Sequence, residues 1–168
     1  TGLTAATSYT ATTYEYNTTG NCYNLTSPIS SSSVFTLSTA PSGNPSSFSA
    51  SAVDQNNISL SFSAPSTVSA SGYLIFQRSG ASATTFVPSN ATAYTVSTVY
   101  GGNGTLVANV STTAATTQNI ASLTANTQYT YTLVPYTWNG SDAGTYNYIT
   151  TSNLTATATT PALTAPVI

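Results

Sequence analysis

Histidine, lysine and methionine are absent from this chain of 168 residues, and cysteine and tryptophan occur once each. Charge is almost absent too: Glu15, Asp54, Arg78 and Asp142 are the only four ionised side chains. Charged residues make up 2% of the chain, where a soluble domain has about 25%. Without histidine or lysine, a Ser-His-Asp arrangement cannot be built and a tuned general base is hard to supply. The three carboxylates fall on separate predicted elements, which argues against a glycosidase-type pair. One arginine makes no nucleic-acid surface. Zinc and iron sites lack ligands. Asp54 with Asn56, and Asn139 with Ser141 and Asp142, read as turn formers rather than calcium ligands. No catalytic residue, metal or cofactor is expected, and the chain is read as a non-enzyme.

A single Cys22 excludes an intramolecular disulfide. It is expected to be a small buried residue, the alternative being a bond between chains. No apolar run reaches the ~18 residues that a membrane span needs. Thr1 is expected to be a processed terminus of a secreted chain, so the localisation read from the sequence is extracellular or cell-surface. With so few ionisable groups, little can titrate between about pH 7 and pH 2, which suits an acid environment. The same deficit removes repulsion between copies.

Hydrophobic residues still make up 40% and aromatics 11%, enough for a core and unlike a disordered chain. Threonine, valine and tyrosine are frequent and favour a pleated, half-buried surface. An all-β fold follows. Alternation between turn signals predicts strands over 47–52, 58–63, 72–78, 94–99, 105–110, 116–123, 128–138 and 149–159. Short strands at this spacing indicate a β-sandwich.

The chain also repeats itself. Leu3-Thr4-Ala5-Ala6-Thr7-Ser8-Tyr9-Thr10 matches Leu123-Thr124-Ala125-Asn126-Thr127-Gln128-Tyr129-Thr130, 120 positions on. Tyr16 and Gly20 fall on Tyr136 and Gly140, Leu25-Thr26 on Ile149-Thr150 after a gap shift, and Pro41 on Pro161. Residues 1–40 therefore read as the last third of a unit whose complete copy is 41–161, with 162–168 an extended tail.

Asn57 to Phe62 followed by Gly72 to Arg78 resembles strands B and C of fibronectin type III-like domains. Leu123 to Tyr131 resembles their E–F junction, in which the leucine plugs the core and the tyrosine begins strand F. The resemblance implies an immunoglobulin/fibronectin type III-like sandwich plus an N-terminal partial unit. It departs from the family where Phe62 or Leu60 replaces the usual tryptophan, and where 80–115 is longer than usual.

The partial unit would hold only F- and G-like strands, with Tyr9, Ala11, Thr13 and Glu15 on one side and Tyr14 and Tyr16 on the other. A lone hairpin is marginal in water, and its edges invite pairing. It would pack on the chain's own domain, be completed by a neighbouring subunit, or belong to a longer array of repeats. Leu3, Tyr9, Tyr14, Tyr16, Leu163, Val167 and Ile168 are the candidate inter-subunit strand residues. In this combination the chain resembles the donor-strand-linked thread filaments of thermoacidophilic archaea. That resemblance implies identical subunits in a homopolymer, joined by an inserted strand and bearing N-glycans.

Sequons stand at Asn17, Asn24, Asn57, Asn90, Asn103, Asn109, Asn139 and Asn153, a mild excess over chance in a chain so rich in serine and threonine. They make covalent N-glycans an expectation. The competing readings are an adhesin or carbohydrate-binding module, with Trp138 stacking on cell-surface glycans, and a spacer repeat of a surface layer.

Overall fold

The computed structural model describes residues 2–20, 22–63, 69–110 and 117–163. It is an all-β chain with a two-sheet sandwich preceded by a long hairpin. The hairpin is built from β1 (Ser8–Tyr9), β2 (Thr12–Thr13), β3 (Tyr16–Asn17), β4 (Cys22–Tyr23), β5 (Ile29–Ser30) and β6 (Val34–Phe35). The sandwich comprises β7 (Ser47–Asp54), β8 (Asn57–Ser63), β9 (Gly72–Ser79), β10 (Val99–Tyr100), β11 (Gly104–Val110), β12 (Thr117–Ile120), β13 (Gln128–Thr137), β14 (Asn147–Tyr148) and β15 (Leu154–Thr159).

One sheet has the order β12-β8-β7, and the other runs β10-β11-β9-β13-β14 with β15 also on β13. All pairings are antiparallel. The alternation of β8 puts Ile58, Leu60 and Phe62 inside, so both candidates for the family's tryptophan position are core residues. Facing them from the other sheet are Tyr73 and Ile75 of β9 and Tyr129, Tyr131 and Leu133 of β13. Leu123 plugs this core.

A second core lies on the opposite face of β9 and β13. Leu74, Phe76, Leu106, Val134, Tyr136, Tyr146 and Tyr148 form it, with Phe86, Tyr94, Tyr100 and Trp138 packed against them. Antiparallel sheets commonly leave one face to water and then alternate. Here both faces of the central strands are covered, which is why β9 and β13 read as near-continuous apolar runs. Gly72 is required by this packing: a Cβ there would sit on the Val110 carbonyl and the Tyr136 hydroxyl.

The predicted strand at 94–99 is not formed. Its alternation comes instead from two successive turns. Ala91 and Ser97 take the left-handed conformation at φ 58° and 67°, and the Tyr94 and Tyr100 hydroxyls accept from Ser89 N–H (2.7 Å) and Thr95 N–H (2.8 Å). This long loop carries the aromatics that cover the second core. The last strand begins at Leu154, five residues later than alternation suggests, because Asn147–Tyr148 pairs separately as β14.

Candidate assembly site

The corner before β13 is a hydrogen-bonded knot. Thr124 N–H donates to the Tyr129 hydroxyl (3.0 Å). Asn126 is left-handed at φ 51° and donates its N–H to the Pro161 carbonyl (3.0 Å). Thr127 N–H donates to Thr160 Oγ1 (3.0 Å), and that hydroxyl donates to the Thr124 carbonyl (2.6 Å). The same knot stands at the start of the chain. Thr4 N–H donates to the Tyr9 hydroxyl (2.9 Å), Ala6 is left-handed at φ 52° and donates to the Leu37 carbonyl (3.0 Å), and Thr7 N–H donates to Thr36 Oγ1 (3.0 Å), which donates to the Thr4 carbonyl (2.6 Å). Thr36 and Leu37 thus stand where Thr160 and Pro161 stand. Pro41 is not the counterpart of Pro161, because the second strand of the repeat is displaced relative to the first by four residues at the knot and by five beyond it.

Beyond the knot, β1 pairs β6, β2 pairs β5 and β3 pairs β4. The cross-strand pair Tyr16–Tyr23 occupies the place of Tyr136–Tyr148 in the sandwich. Its rings lie 5.0 Å apart, against 5.9 Å for the sandwich pair. Exposure separates the two pairs. Tyr136 and Tyr148 are 1% and 5% exposed beneath the aromatic loop, while Tyr16 and Tyr23 are 49% and 62% exposed. An open depression of about 680 Å³ borders the hairpin pair, lined by Glu15, Asn17, Cys22 and Asn24 among others. On the other face Tyr9 is half-buried and pairs with Val34, and Thr13 pairs with Ile29. Leu3, Tyr14, Leu25, Ile29 and Val34 are exposed.

Among the described residues the hairpin strands pair only with one another, so the hairpin does not extend the sheet of its own domain. Its stem is nevertheless fixed. Ser38 N–H donates to the Thr145 carbonyl (2.9 Å), the Thr137 hydroxyl to the Thr39 carbonyl (2.6 Å), and Asn147 Nδ2 to the Ser38 carbonyl (2.8 Å). The tail leaves from the other end of β13, where Thr160 and Pro161 are bound at the knot. Leu163 is exposed, and Val167 and Ile168 lie outside the described residues.

Cys22 is exposed, contrary to the buried position expected for it. It faces Asn17 across the bare hairpin, so no packed layer is there to receive it. Trp138 is half-buried and stacks one face on Tyr146 (5.0 Å, 10° between planes). Glu15 accepts from Asn24 Nδ2, Asp54 from Asn56 N–H and Asn57 Nδ2, and Asp142 from Gly144 N–H. The carboxylates stay on separate elements, Asp54 and Asp142 engaged in their own turns and Glu15 across the hairpin. Of the sequon asparagines, Asn17, Asn90, Asn103, Asn109 and Asn139 are exposed, while Asn24, Asn57 and Asn153 are half-buried.

The two knots at Tyr94 and Tyr100 escape a search for long repeats. A shorter pattern reveals them: serine or threonine, two residues, threonine, one residue, tyrosine. It occurs at Thr4–Tyr9, Ser89–Tyr94, Thr95–Tyr100 and Thr124–Tyr129, each time with the third residue left-handed.

No family model matches the chain, and no curated protein matches it. Among solved structures, the FN1–FN3 domains of chicken CNTN1 align at 14% identity with a TM-score of 0.53, over 94% of this chain and 44% of that one. FN3tt aligns at 18% identity and a TM-score of 0.44, over 73% of this chain and 97% of its own. A segment of two fibronectin type III domains from chicken tenascin aligns at 16% identity and 0.46, over 95% and 68%. The chain spans under half of the CNTN1 structure it matches. The fold is therefore fibronectin type III-like.

Proposed function

We propose that the chain is a structural subunit of an extracellular surface filament, a homopolymer in which a neighbouring subunit completes the N-terminal hairpin. One observation carries the reading: Tyr16 and Tyr23 are about half exposed or more where their counterparts Tyr136 and Tyr148 are buried. Among the described residues the hairpin has the corner and strands of a sandwich without the layer that closes it. A neighbour's finished sandwich has no strand to spare, since β8 and β9 are paired on both sides. Displacing its β13 would exchange the buried Tyr131 and Leu133 for Ala11 and Thr13, at a cost of about 2–5 kcal/mol for each large side chain lost.

The covering segment is therefore an extended one outside the sandwich, and the tail that begins at Ala162 is the candidate. Its one proline, Pro166, suits an edge strand, and main-chain pairing with alternate side chains in pockets is the usual mode of strand addition. The hairpin stem and the tail leave opposite ends of β13, a strand of 10 residues and about 30 Å long. A contact of this kind is heterologous and repeats into an open fibre. The extracellular setting is supported by the sandwich type, common among cell-surface domains.

Negative-stain microscopy tests this. The intact chain is expected to form long fibres, and chains lacking either 2–36 or 162–168 are expected to remain monomers. Fibres from either shortened chain, or monomers from the intact one at high concentration, would refute it.

A further inference from the structure

The sequon asparagines do not present their amides alike. Three of them turn their carbonyls inward onto one aromatic cluster. Asn90 Oδ1 accepts from Tyr148 N–H (2.8 Å) and Asn109 Oδ1 from the Tyr136 hydroxyl (2.8 Å). Asn139 Oδ1 accepts from the Thr145 hydroxyl (3.1 Å), beside Tyr146, and from Ser141 and Asp142 N–H (2.9 Å each). The Tyr136, Tyr146 and Tyr148 rings touch one another. All three asparagines are exposed. On a planar amide the oxygen and nitrogen point in different directions, so a carbonyl held inward leaves the nitrogen toward solvent.

Three other sequon asparagines, Asn24, Asn57 and Asn153, are half-buried, and two of them engage the nitrogen itself. Asn57 Nδ2 donates to both oxygens of Asp54 (2.8 Å each). Asn24 Oδ1 accepts from Thr26 N–H (3.1 Å) and the Thr26 hydroxyl (2.7 Å), but its Nδ2 donates to Glu15 (3.1 Å). Asn153 is half-buried. A sugar on Asn57 Nδ2 would have to fit beside the Asp54 carboxylate that this half-buried nitrogen already engages. Asn17 Oδ1 accepts from Thr19 N–H in an exposed turn of the hairpin, away from the aromatic cluster. Asn103 has no such anchor among the described residues.

We propose that Asn90, Asn109 and Asn139 are the N-glycosylated positions of the sandwich, and that Asn24, Asn57 and Asn153 stay bare. The donor is a lipid-linked glycosyl phosphate. The bond from the anomeric carbon to phosphate oxygen breaks and the bond from that carbon to Nδ2 forms. The lipid phosphate leaves with the electron pair, and one Nδ2 proton passes to a base of the transferring enzyme. The three glycans ring the second core, on the outer side of the β9–β11–β13 sheet. They hydrate a face that four charges cannot, and they leave the β7–β8–β12 sheet free.

The inference does not depend on the filament reading. Bare fibres would defeat this proposal alone, and glycosylated monomers would defeat the other alone. Glycopeptide mass spectrometry on the chain secreted by its native cells, or by a host that N-glycosylates, decides it. Occupancy at each of Asn90, Asn109 and Asn139 should exceed that at Asn24, Asn57 and Asn153 by about tenfold or more. A smaller ratio, or unmodified peptides throughout, overturns it.

Discussion

Leu133→Ala is expected to destabilise the chain by about 2–5 kcal/mol, whereas Thr13→Ala, at the matching position of the hairpin, should change stability by less than about 0.5 kcal/mol. Leu133 is fully buried in the first core, packed between the two sheets. Thr13 is exposed, with no second sheet above it. Domains are stable by only about 5–15 kcal/mol, so the first substitution brings the sandwich close to unfolding at room temperature. Urea titration of the isolated chain reads both effects. A comparable loss from Thr13→Ala would mean that the hairpin is already packed, and the case for an unfinished layer would fail.

Stability should be nearly flat across acid and neutral pH and collapse in alkali. On the acid side, the Asn56 N–H and the Asn57 amide hold the Asp54 carboxylate below its usual range. Its contribution is present above the unfolded pKa and is lost as pH falls through the folded one, but Asp54 is fully exposed and the loss should be slight. On the alkaline side, burial pushes the Tyr136 hydroxyl up to about 12, helped by neighbouring Tyr146 and opposed by its bond to Asn109. Burial also raises Tyr73, Tyr131, Tyr146 and Tyr148. A tyrosine with a raised folded pKa stabilises fully below its unfolded value of about 10. As pH climbs past that, the unfolded chain ionises first. Each such tyrosine then removes about 1.4 kcal/mol per pH unit until its folded pKa is reached. Five together should unfold the sandwich cooperatively between about pH 10 and 12. Circular dichroism against pH measures it. Gradual, independent titration of the tyrosines with the strands intact would contradict the buried aromatic core.

Much of this architecture can be read from residues. The alternation of Ile58, Leu60 and Phe62 shows a one-sided strand, and the runs Tyr73–Phe76 and Tyr129–Tyr136 show strands covered on both faces. The match of Leu3–Tyr9 to Leu123–Tyr129 marks two corners of one kind. Periodicity misleads where a turn imitates it. Tyr94, Val96 and Thr98 alternate like a strand, but left-handed Ser97 bends the chain and the tyrosines fold back on it. Cysteine composition suggested burial for Cys22, yet burial depends on a second layer that the hairpin lacks. The sequons were visible, but the direction of each amide was not. That direction depends on partners such as Tyr148 and Asp54, which alternation cannot place.

The assembled material offers the most direct test, through the reactivity of its tyrosines toward a nitrating reagent. Tyr16 and Tyr23 should react readily in the isolated chain and become shielded in native fibres, as Tyr136 and Tyr148 are in both. Equal reactivity of Tyr16 and Tyr23 in fibre and monomer would show that nothing covers the hairpin, and the proposed assembly would be wrong.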